Sequence, residues 1–173
     1  MKCVTLVLLT LLLLPAAAPA QQGPATKIVQ PPGPALVLTN DATNQAVILK
    51  PADIKAMEHV TVTVHNAHAN ADQTYSGVPL AALLAKLNAP LGDQLHGKAM
   101  RTGVVARGSD GYEVLLSLAE VDPAFHGGDV IVADALDGKP IEKNGPFQLV
   151  VSEDKRPARW VRNLVSISVV NVQ

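Results

Sequence analysis

The most regular pattern in the chain is a stripe of four leucines. Leu80, Leu83, Leu84 and Leu87 fall at i, i+3, i+4 and i+7, one apolar helical face that begins at Pro79 and stops at Asn88-Ala-Pro90. Elsewhere the period shortens to two. Val60, Val62 and Val64 alternate with Thr61 and Thr63, and Val165, Ile167 and Val169 alternate with Ser166 and Ser168. Both stretches, 59–64 and 164–170, read as half-buried strands. Short apolar runs at 35–39, 46–49, 129–133 and 147–151 predict further strands. Residues 101–106 and 113–118 flank Gly108-Ser-Asp-Gly-Tyr112, and its Asp110-Gly111 pair signals a hairpin turn. Residues 51–57 predict a short helix with proline at its first position, and 118–125 a helical turn. The clusters 40–44 and 137–140 predict turns. Residues 65–72 read as a polar loop, with Thr74-Tyr-Ser76 leading into the helix. Many short strands, two or three short helices and no regular βαβ order predict an α+β fold. Its sheet is expected to be mixed and mainly antiparallel.

The N-terminal 20 residues do not belong to that pattern. Lys2 precedes an apolar run from Val4 to Leu14, and Ala18-x-Ala20 follows. This is the order of a cleavable secretory signal, with Gln21 as the new N-terminus. The apolar run is about half the length that a bilayer span needs. The chain is therefore expected to be exported, to the periplasm or the medium, with no membrane span after cleavage. Residues 21–34, QQGPATKIVQPPGP, form a flexible leader, and 35–173 the single folded domain. The first arginine is Arg101, so a twin-arginine signal, which would suggest export of a folded, cofactor-loaded protein, is not indicated.

Composition narrows the chemistry. Cys3 is the only cysteine and lies within the signal. The mature chain then has no thiol for a disulfide, a thiolate zinc site, an iron–sulfur cluster or a cysteine nucleophile. Lys+Arg number 14 and Asp+Glu 15; loss of Lys2 leaves 13 against 15, a formal charge of −2. That balance gives no reason to expect a nucleic acid partner. No G-x-S-x-G, Walker loop, G-x-G-x-x-G or H-E-x-x-H occurs. Two candidates remain. His65 and His68, with Asp72, lie at a strand end and offer a weak metal-ligand pattern. Lys155-Arg-Pro-Ala-Arg-Trp-Val-Arg162 places four cations around the only tryptophan. In a helical turn Arg159 and Arg162 would share a face. With Lys155 they are the expected binding residues for phosphate or carboxylate.

Several of these segments together resemble a known family. Tyr75-Ser-Gly-Val-Pro-Leu80-x-x-Leu83-Leu84 is similar to the Y-x-G-V-P-L-x-x-L-L element of the sulfite-oxidase-type molybdopterin-binding domain. Asp110-Gly111-Tyr112 resembles its D-G-Y hairpin, and Leu136-Asp-Gly-Lys-Pro-Ile141 its M-N-G-x-P-L segment. Asn144-Gly-Pro-Phe-Gln148-Leu-Val-Val151 resembles H-G-x-P-x-R-L-V-V, and Trp160-Val-Arg162 the W-V-K before the closing strand. The likeness covers roughly residues 35–173. It implies a sulfite-oxidase-like fold and a molybdopterin cofactor, contacted through the basic turn.

The chain departs from that family at its chemical centre. The molybdenum-ligating cysteine corresponds to Val64-His-Asn-Ala67, Asn144 stands for histidine, and Gln148 for arginine. Molybdenum in this family takes a soft, anionic sulfur from the protein, which none of these residues supplies. The expected function is a non-catalytic exported domain that binds a small anionic ligand or a redox partner protein. Its pocket is expected between 65–72 and 155–162. The alternative is a molybdopterin-dependent oxidoreductase with a non-cysteine metal environment.

Overall fold

The computed structural model describes residues 33–66 and 70–172. The expected signal, the leader as far as residue 32, Cys3 and His68 lie outside the described residues. Among the described residues the fold is α+β, with ten strands, mostly antiparallel, and three short α-helices.

Sheet A runs β2(Gln45–Leu49), β1(Leu36–Asn40), β10(Leu164–Asn171), β5(Thr102–Gly108), β6(Glu113–Ser117). Only β1 and β10 are parallel within it. The chain's first and last strands thus lie side by side at its centre. Sheet B runs β3(Val60–Asn66), β4(Ala71–Pro79), β7(Val130–Leu136), β8(Lys139–Pro140), and β9(Gln148–Val151) also pairs with β7. The helices are α1(Pro51–Lys55), α2(Leu80–Ala85) and α3(Leu118–Val121).

One face of each sheet and all three helices enclose the main core. Leu38, Ile167, Val104 and Leu116 enter it from sheet A, and Val78, Val132 and Leu149 from sheet B. The leucine stripe behaves as its spacing demands: Leu80, Leu83, Leu84 and Leu87 are each 0% exposed. Leu87 lies past the helix end and is held by its N–H on the Leu84 carbonyl. At β7 sheet B is buried on both faces, which explains why this strand reads as an unbroken apolar run rather than an alternating one. Val130 and Val132 face the main core, whereas Ile131 and Ala133 join Val62, Val64, Tyr75, Ile141 and Val150 on the other side. Trp160 packs on that second cluster.

One expectation fails. Residues 65–66 and 71–72 are strand and not loop: β3 continues to Asn66, β4 begins at Ala71, and His65 pairs with Asp72. The segment Ala71–Pro79 carries too few apolar residues to announce a strand. Tyr75 and Val78 fall out of alternation because the ladder slips between Ser76 and Gly77. Gly77 permits that slip, since a Cβ there would sit 2.2 Å from the Val132 carbonyl oxygen. The sequence pattern sets no expectation for residues 91–100, and there the chain forms two 3-10 turns, Gly92–Gln94 and Gly97–Arg101. The hairpin at Asp110-Gly111 is present, with Gly111 at φ +85.

Candidate functional site

The second face of sheet B does not end in a flat surface. It forms the floor of an open cleft of about 1140 Å³. Thr63, Val64, His65 and Asn66 of β3 line one side, and residues 152–158 another. The floor carries Tyr75, Leu136, Ile141 and Trp160. Tyr75 and Trp160 meet edge to face, ring centroids 5.7 Å apart at 82°. The Trp160 indole N–H donates to the Val151 carbonyl at 2.9 Å, which fixes the ring against sheet B. Tyr75 Oη donates to Gln73 Oε1 at 3.4 Å. Burial pushes the Tyr75 phenol above its ordinary value, against the pull of the Gln148 amide and the Arg162 charge.

The cleft wall is rich in cations. Lys143, Lys155, Arg156 and Arg162 all line it. Among the described residues none of the four makes an ion pair. Three carboxylates also line the cleft, and each has a partner. Asp154 accepts from Arg159, Asp110 from the Tyr112 N–H at 3.0 Å, and Glu153 lies 3.4 Å from His126 Nε2. The lining thus holds four cations against three carboxylates, and Asp154 among the latter is already paired with Arg159, so the charge balance of the cleft is positive although the chain as a whole is slightly acidic.

The three expected binding residues separate. Lys155 and Arg162 reach the cleft; Arg159 does not line it. The basic turn is a 3-10 turn over Pro157–Arg159 followed by extended backbone at Trp160, so Arg159 and Arg162 do not share a face. Arg159 donates from Nε and Nη2 to both Asp154 oxygens, at 3.0 and 2.6 Å, and from Nη1 to Glu120 Oε1 at 2.6 Å. The fork geometry fits a carboxylate, as the residue type promised, but the carboxylates belong to the protein itself. Its hydrogen bonds to Asp154 and Glu120 push the guanidinium further up from its ordinary value. Burial opposes ionisation of Glu120; the bonds from Arg159 and Ser117 outweigh it and hold this carboxyl below its ordinary value. Glu120 also closes a capping box with Ser117 at the start of α3. Arg159 thus ties the basic turn to α3, and Tyr112 ties it to the β5–β6 hairpin through a hydroxyl bond to the Ala158 carbonyl.

His65 Nδ1 sits 2.9 Å from Asp72 Oδ1, with both side chains more than half exposed. No group of three potential ligands gathers for a metal among the described residues. The cleft reunites positions that the sequence holds far apart. Val64 to Asn66 borders the same space as Asn144, Gln148 and Arg162. The donors there are an imidazole and amides, with no thiolate among them. Sequence reasoning named neither Lys143 nor Tyr75 as a site residue. Lys143 stands next to Asn144 with no neighbouring cation to mark it, and Tyr75 drew notice only as part of a motif. Among the described residues no helix is long and apolar enough to cross a membrane. No protein-family model matches the chain, and no curated protein matches it.

Proposed function

We propose that this chain is an exported ligand-binding domain built on a sulfite-oxidase-like scaffold, without redox chemistry of its own. Its cleft holds an anion against an apolar floor. One observation carries the reading: Lys143, Lys155, Arg156 and Arg162 line one cleft with no ion pair among the described residues. Four cations held near one another repel, and a bound anion relieves that repulsion. The floor beside them is apolar and aromatic, which favours a ligand with an uncharged body. Gln148 and Asn144 add neutral amide donors at the same wall.

Calorimetric titration with citrate tests the site. The wild type is expected to bind at low ionic strength, and Arg162→Ala to bind about tenfold more weakly, the loss of one charge-assisted contact. Unchanged affinity in both Lys155→Ala and Arg162→Ala would remove the cleft as the site.

The motif order from Tyr75 to Arg162 favours a second reading, a molybdopterin-dependent oxidoreductase with a non-cysteine metal environment. It is tested by expressing the chain with its own signal in a host that makes the molybdenum cofactor. Molybdenum is then measured by mass spectrometry, and released pterin by fluorescence. The binding-domain reading expects neither; near-stoichiometric molybdenum would replace it with the second.

A further inference from the structure

The cleft meets four consecutive residues of β3, Thr63 to Asn66. Alternate side chains of a strand point to opposite faces. Val62 and Val64 face the cluster under the cleft, while Thr61, Thr63 and His65 are exposed on the other face. A space that touches both sets in succession runs along the edge of the strand, past its backbone. Among the described residues β3 is a sheet edge, paired with β4 alone. At seven residues it is the longest of the five edge strands, which are β2, β3, β6, β8 and β9. Alternate N–H and C=O groups along an antiparallel edge point away from the sheet. Edge strands in solitary domains usually carry a lysine, a proline or a bulge that keeps other strands off. Val60-Thr-Val-Thr-Val-His65 has no lysine or proline, and its ladder to β4 runs without a register shift as far as Gly77.

We infer that the cleft takes an acidic, extended peptide segment of a partner protein, added as a strand along the outer edge of β3. This deepens the proposed function and rests on it. The peptide backbone bonds to the outward edge of Val60–His65, which among the described residues pairs with β4 alone. Alternate peptide side chains point inward over Tyr75 and Trp160, where carboxylates meet Lys155, Arg156, Arg162 and Lys143. The intervening side chains lie beside Thr61, Thr63 and His65. Strand addition gives affinity through the main chain, and the charged wall selects the sequence. Volume supports a segment over a lone oxyanion, because about 1140 Å³ is at the large end for a small-molecule site. Sign supports it too, since the lining holds four cations against three carboxylates, one of which is already paired with Arg159.

The probe is an eight-residue peptide of alternating valine and glutamate, capped at both ends and titrated by calorimetry beside citrate. Two further peptides carry N-methyl groups on one or the other alternate set of amides. The unmodified peptide is expected to bind, and its valine–lysine counterpart not to. One N-methylated peptide is expected to weaken by about tenfold or more and the other to bind nearly as the parent, because only one set of amides faces β3. Hydrogen exchange across 60–65 is expected to slow in the complex. Equal binding by both N-methylated peptides, or unchanged exchange in β3, would overturn strand addition. If citrate binds and the peptide does not, the peptide inference fails and the anion cleft stands. If neither binds, both fall.

Discussion

Replacing Arg159 by alanine separates holding the basic turn from binding a ligand. The substitution removes three hydrogen bonds at once, two to Asp154 and one to Glu120. The Asp154 side chain is only 16% exposed, so its carboxylate is left poorly solvated. A charge-assisted bond in a buried site contributes up to about 3 kcal/mol, whereas exposed pairs contribute under about 1. Arg159 and Glu120 are each more than a third exposed. Solvent screening therefore brings the sum for Arg159→Ala to about 2 kcal/mol. For a domain of this length that lowers Tm by about 8 °C. The assay is urea unfolding of wild type, Arg159→Ala, Glu120→Gln and the double variant. A coupling between the two sites is expected, since they share a bond. The pH dependence follows from Glu120. Its carboxyl titrates below the ordinary value of 4.5, so the stability it contributes is complete above that value. It is lost as pH falls through the lowered one. The gap between wild type and Arg159→Ala should therefore narrow below pH 4.5. A variant as stable as wild type at neutral pH, or additive effects at the two sites, would refute the clamp.

Three further predictions follow from other parts of the chain. Gly77→Ala forces a Cβ into the Val132 carbonyl and should cost roughly 3 kcal/mol or more by urea unfolding. Burial raises the Tyr75 phenol, so the folded state keeps this proton longer than the unfolded chain does. Stability from it is present below the ordinary value of 10.0 and lost as pH rises through the raised one. A spectrophotometric titration comparing Tyr75→Phe with the wild type should show the missing phenol as the later of two steps. Intact-mass analysis of exported protein should place the N-terminus at Gln21; retention of residues 1–20 would contradict the signal reading.

The elements with strong periodicity were legible in the sequence. The leucine stripe and the alternating strands declare themselves because each side chain's burial repeats with the local geometry. β4 was not legible. Its register slips at Gly77, so its buried residues do not alternate, and Gln73 and Thr74 within it are polar. The site was half legible. Charge density flagged the basic turn, and Lys155 and Arg162 do reach the cleft. Density alone could not say which arginine was already paired. That depended on Glu120, 39 residues away, which is brought beside Arg159 only by the tertiary fold. Lys143 and Tyr75 reach the cleft by the same long-range folding, from separate strands and turns.

Trp160 is the only tryptophan in the chain and lines the cleft, so a ligand bound there alters the surroundings of the one indole. The most direct test of an anion-binding cleft is a fluorescence titration with citrate at constant ionic strength, in wild type and in a Lys155→Ala/Arg162→Ala variant. A saturable change is predicted in the wild type, shifted at least about tenfold to higher concentration in the variant. No change in the wild type, or curves that superimpose, would contradict the account.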